Sequence, residues 1–266
     1  MKQHTKPLGI RQLADVAIWI VLVLGIGPLL LGAQPDGAKP TSHTLRNVEG
    51  WKVYVDDRLL HGPDAELGRS ALRLLADCLY EITLEIHVDR LHRLQQVPIW
   101  LDRTHGNLTS MQYHPNPAWL AEHGCSTNLA QCVHIPKAAL FASPRDHFRQ
   151  PWAVLHELAH AYHDQVLDFD NPEIKAAWKR FRDSGRYESV LQIDGRMEKH
   201  YGLTDHKEFF AEMSEAYFGM NDFFPFNRAE LKREEPELFS MLLKIWGPLP
   251  SPITPEEPAA GQELKK

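Results

Sequence analysis

The stretch PWAVLHELAHAYHDQVL, residues 151–167, limits this chain more than any other. Val154, Leu155, Leu158, Ala159 and Ala161 mark an apolar helix that must be buried inside a domain. The same helix carries His156, Glu157 and His160, and buried polar groups need partners. Residues four apart on a helix lie at nearly the same angle, so His156 and His160 point the same way. Two imidazoles one turn apart suit a single metal ion. Glu157 is offset by about 100° and can reach a metal-bound water without ligating the metal. The bland alternative is a solvated helix face that happens to carry two histidines. Pro151 suits the first helical position, and the helix is expected to run to about Leu167.

A second helix is expected over Asp205 to Phe218 (DHKEFFAEMSEAYF). Glu208, Glu212 and Glu215 fall at i, i+4 and i+7 and share one stripe, while Phe209, Phe210, Met213, Ala216 and Tyr217 cover much of the rest. Like charges stacked on one stripe repel each other, and a divalent cation would relieve that repulsion. Two readings without a metal exist. Glu208 can serve a capping box begun by Asp205, or the stripe can face solvent.

HELAH at 156–160 followed by KEFFAE at 207–212 resembles the gluzincin metallopeptidases, in particular the anthrax lethal-factor-like group. The resemblance covers about 150–220 and leaves 47–149 unassigned. It implies a zincin-like domain holding one Zn2+ ion, with His156, His160 and Glu208 as ligands and Glu157 as general base. It also implies that Glu212 orients a ligand histidine. That group carries a tyrosine seven residues before its ligand glutamate, which here is Tyr201. Tyr201 would donate to the oxyanion. Its neighbour His200 is the competing donor, and a half-buried strand position is the structural alternative. If the helix is placed one turn out, Glu212 replaces Glu208 as the third ligand.

The expected activity is hydrolysis of a peptide or protein substrate by a metal-activated water, with Glu157 taking its proton. The alternative is a zinc-binding envelope domain without activity, acting as a binding or inhibitory module. Substrate peptides in zincins lie along an edge strand, for which Cys132 to Ile135 is the candidate, a core strand being equally compatible. Phe223, Phe224 and Phe226 are candidates for a side-chain pocket or for core. His163 shares the helical arc but stands about 10 Å from His156 by helical rise, too far for the same ion, and reads as a surface histidine. Asp164 is a candidate to orient a ligand histidine. His61, His105 and His114 have no metal spacing.

Organisation follows from composition. Lys2, Lys6 and Arg11 precede an uncharged apolar run of 18 residues, Val16 to Ala33. That pattern is an export signal or, at the lower length limit, a retained membrane anchor. The domain is therefore expected outside the cytoplasm, touching a membrane only through that segment. Residues 34–46 read as a linker, 47–248 as one domain, and the proline-rich 249–266 as a disordered tail. The net charge is −6, and losing 1–33 removes three bases and one acid to give −8, which argues against a nucleic-acid partner. Cys125 and Cys132 are expected to pair in an exported protein, leaving Cys78 as a buried thiol.

Strands are expected at Trp51 to Val55, Val97 to Leu101, Met111 to Tyr113 and Cys132 to Ile135. Tyr187 to Tyr201 reads as a hairpin with a type I′ turn at Asp194-Gly195. Helices are expected at about 64–82, 117–123 and 172–183, and from 205 to about 246. Strands early and helices late indicate an α+β fold.

Overall fold

A computed structural model describes residues 37–250 of the chain. The segment read as an export signal or anchor and nearly all of the tail lie outside the described residues. The fold is α+β, with a small mixed sheet in the first half and a helical second half. Strands β1 (His43–Val48), β2 (Trp51–Asp56), β3 (Ile99–Leu101), β4 (Gln112–Tyr113) and β5 (Val133–Ile135) form one sheet in the order β1-β2-β3-β5-β4. β2, β3 and β5 run parallel, and β1 and β4 are antiparallel edges.

β1 occupies part of the stretch expected to be linker. HTLRNV is polar and mostly exposed, so it lacks the alternation that betrays a strand. Glu49 and Gly50, at φ 48° and 91°, join β1 to β2. Two consecutive positive φ values characterise a type I′ hairpin turn. The expected type I′ turn at Asp194-Gly195 is absent. There Gly195 N–H donates to Gln192 O at 2.8 Å and only Gly195 has positive φ, in a five-residue connection (192–196) between short strands β6 (Val190–Leu191) and β7 (Met197–Glu198).

One face of the sheet presents Val53, Val55, Ile99, Leu101, Val133 and Ile135, all essentially without exposure. Helix α1 (Ala65–Glu85) adds Leu75, Leu79 and Ile82 to the same core. Each such side chain contributes roughly 1.5–3 kcal/mol by leaving water. Short helices α2 (Val88–Leu94), α3 (Pro117–Glu122), α4 (Ala138–Phe141) and α5 (Pro144–Arg149) follow the strands. Helix α6 (Ala153–Tyr162) then enters the core through Val154, Leu155, Leu158, Ala159 and Ala161. Pro151 sits in the turn before it, not at its first position, and residues His163–Leu167 continue as a π-helical turn. Helices α7 (Pro172–Asp183), α8 (His206–Phe218), α9 (Arg228–Glu234) and α10 (Pro236–Trp246) complete the fold. Phe223 is buried in the core and pairs its backbone with Gln192, and neither it nor Phe224 and Phe226 lines the cleft described below.

The expected Cys125–Cys132 bridge is not formed, and all three cysteines are free. The Cys132 thiol is buried and turned to the carbonyls of Asn128 and Ala130, whereas that of Cys125 faces the His123 carbonyl. Burial raises the Cys132 thiol pKa to about 11. His105 and His114, set aside for want of metal spacing, are gathered with His43 and His134 near one buried carboxylate, Asp102.

Candidate metal centre

Helices α6 and α8 pack together and supply the site. α8 starts where Asp205 caps it, accepting from the N–H groups of Lys207 and Glu208. Its residues 209–218 are all buried, which fixes the helix rotation and carries the acidic stripe inward against α6. The Glu208 side chain does not complete a capping box. Its Oε2 lies 3.0 Å from His156 Nε2 and 3.3 Å from His160 Nε2. The three donor atoms are within 4.8 Å of one another, a grouping able to hold a metal ion.

Behind this group, His156 Nδ1 lies 2.6 Å from Glu215 Oε1. A histidine ligand typically gives its second ring nitrogen to a carboxylate, which fixes tautomer and orientation. That role was expected of Glu212, whose nearest oxygen is 3.7 Å from the same nitrogen. The correction is geometric. His156 Nδ1 is directed further along α8, to the acid two turns beyond Glu208. Glu212 is fully buried and neither of its oxygens has a hydrogen-bond partner. Burial, then the nearby Asp222 and Glu215 charges, lift its carboxyl well above the ordinary range.

Without a metal, these charges act on protons. Burial opposes protonation of His156, but hydrogen bonds from Glu208 and Glu215 prevail and raise its pKa well above the usual value. Burial pushes the Glu208 pKa up, yet the hydrogen bonds from His156 and His160 hold it far below the normal carboxylate range. A metal ion entering this site would displace the imidazole proton.

Glu157 stands apart from the ligand group. Its Oε2 accepts the Tyr113 N–H at 2.7 Å. Burial raises its carboxyl pKa, with the two histidine charges opposing. Glu157, His156, His160, Glu208 and Tyr201 line one cleft of about 660 Å³, which Met111 to Tyr113 and Ile135 to Lys137 also line. β4, not β5, is the sheet edge here, so the candidate edge strand Cys132 to Ile135 is an interior strand.

Tyr201 lies in a 3-10 turn, Tyr201–Leu203, not in a strand, and is 45% exposed. Its ring centre is 6.4 Å from that of His156. Burial, then the Glu208 charge, push its pKa up to about 12. His200 points the other way. It is buried beside Phe181, Tyr187 and Phe223, and its Nδ1 accepts the Gly202 N–H at 3.0 Å. It cannot compete with Tyr201 for a group in the cleft.

Two further expectations change. His163 is fully buried, because Phe169 and, from α8, Phe210 pack over this turn of the helix. Asp164 accepts the Tyr113 hydroxyl at 2.7 Å and orients no histidine. Tyr113 thus ties β4 both to α6 and to the π-helical turn after it, a link that nothing in its sequence neighbourhood signals. Comparison of the chain with protein-family models, curated proteins and solved structures gives no match.

Proposed function

We propose that the protein is a zinc-dependent peptidase with a zincin-like domain, exported or tethered to a membrane by its N-terminal segment. One observation carries the reading. Two imidazole nitrogens, one helical turn apart, meet a single Glu208 oxygen at 3.0 and 3.3 Å, with Glu157 beside them in the same cleft. Two histidines, one carboxylate and a position left for water form the ligand set of hydrolytic zinc sites. When bound, zinc supplies a water of lowered pKa and polarises a carbonyl.

The remaining work falls to side chains. Glu157, positioned by the Tyr113 N–H, takes the proton of the attacking water and returns it to the leaving amine. Its raised pKa brings it nearer the neutral range, where both transfers are efficient. Tyr201, kept protonated, donates to the oxyanion from the cleft wall. Glu215 holds His156 in the tautomer that leaves Nε2 for the metal. The edge strand β4 borders the same cleft, its Tyr113 N–H held by Glu157.

The test is digestion of a peptide library by the full-length, zinc-loaded protein. Cleavage that a chelator abolishes and zinc restores is expected. Cleavage indifferent to chelation would reject the metal. Zinc binding without any cleavage would favour a binding or inhibitory module.

A further inference from the structure

The second gathering of histidines shares no residue with the cleft. Asp102 follows β3 and is fully buried. Its Oδ2 meets His105 Nδ1 at 2.7 Å and His134 Nε2 at 2.8 Å, and its Oδ1 meets His43 Nε2 at 2.7 Å. His134, on β5, is fully buried, and His105 is 6% exposed. They lie on the sheet face that carries Tyr54 and Trp100, opposite the apolar face.

A buried carboxylate is unfavourable by several kcal/mol unless a cation answers it. Arg103 adjoins Asp102 in sequence and Arg58 reaches the nearby Thr104 carbonyl, and both are committed elsewhere. Arg58 forks onto Asp56 with its Nε 2.9 Å from Oδ2, and Arg103 Nε is 2.5 Å from Asp64. Among the described residues, only imidazoles pair with Asp102. Two imidazole nitrogens converging on one carboxylate oxygen is also the pattern of His156, His160 and Glu208. Asp102, His105 and His134 offer donor atoms within 4.8 Å of one another.

We propose that Asp102, His105 and His134 supply three ligands of a second divalent-metal site, buried and structural. Two imidazole nitrogens and one carboxylate oxygen match zinc in donor type. The surroundings supply the support that metal ligands ordinarily have. His43 bonds the other oxygen of Asp102, and the free nitrogen of His134 lies 3.2 Å from His114 Nε2. Near-complete burial leaves no path for a substrate, which separates this site from an open catalytic one. The bound ion would tie β5 to the loop after β3, and through His43 to β1.

Zinc titration of the full-length, metal-stripped protein tests the proposal. Wild type is expected to take up two ions per chain, and a double variant H156A/H160A that binds none overturns the proposal. The double variant H156A/H160A, which leaves this cluster intact, is expected to keep one ion. Adding H105A should remove it. Retention of an ion after H105A and H134A together would place it elsewhere and reject the site. Folding of each variant is followed by circular dichroism. Should the double variant fail to fold, H105A alone decides: it should bind one ion fewer than wild type, and an unchanged count rejects the site. Loss of the peptidase reading would leave this result untouched, because the retained ion is measured in a protein without the first site.

Discussion

His156 Nδ1 lies 2.6 Å from Glu215 Oε1, on the opposite side of the ring from Glu208. A proton shared on that side leaves Nε2 with a lone pair directed at the ligand group. Glu215, two turns beyond Glu208, is thus the residue that orients His156. Replacement of Glu215 by Gln is expected to weaken zinc binding about 10–100-fold. Glu212→Gln, whose carboxyl makes no hydrogen bond, should change it far less. Competition with a chromophoric chelator measures both. A larger loss in the Glu212 variant would return the orienting role to the residue expected from the sequence.

Tyr201 stands on the cleft wall outside the ligand group. Tyr201→Phe should lower kcat about 10²–10³-fold, the usual loss for one oxyanion donor. Zinc content and KM should hold. Steady-state kinetics on a cleaved peptide check this, and an unchanged kcat would remove Tyr201 from the chemistry.

Asp222 gives stability a pH dependence. Burial, then the Glu215 charge, raise its carboxyl from 3.8 to about 8. Below pH 4 the unfolded carboxyl is protonated too, and the contribution is complete. Between about 4 and 8 the unfolded carboxyl ionises while the folded one keeps its proton. Stability therefore falls as pH rises through this window, by up to about 1.4 kcal/mol per unit. Asp222→Asn should flatten the decline in urea unfolding of the metal-free protein. An unchanged slope would mean that the proton resides on another carboxyl of the cluster.

Gly219 ends α8 against Trp152, the residue just before α6. A Cβ there would sit 1.9 Å from Trp152 Cε2. Gly219→Ala should destabilise the protein by about 1–3 kcal/mol, the usual range for overpacking. A thermal melt checks it, and a variant as stable as wild type would show that the indole can move aside.

Periodicity made much of this structure legible. HELAH on an apolar helix and the acidic stripe of α8 announced both site helices, because helical spacing alone fixes which side chains share a face. The α+β class followed from strands preceding helices. β1 was hidden because an exposed polar edge strand has no hydrophobic alternation. The role of Glu215 was hidden because choosing among acids on one stripe needs the offset between two packed helices. The burial of His163 was hidden because helical spacing does not reveal that Phe169 and Phe210 pack over that turn. The group around Asp102 was hidden because its members come from β1, β5 and the loops after β3 and β4, and only the sheet register brings them together.

The most direct test of the proposed catalytic centre is the hydrolytic rate of Glu157→Gln, measured with its zinc content. Glu157 bonds the Tyr113 N–H and takes no part in the ligand group. The variant should hold as much zinc as wild type and lose at least about 10²-fold in rate, as expected for a missing general base. Near-normal turnover, or loss of the metal together with the activity, would contradict the division of roles between Glu157 and the group formed by His156, His160 and Glu208.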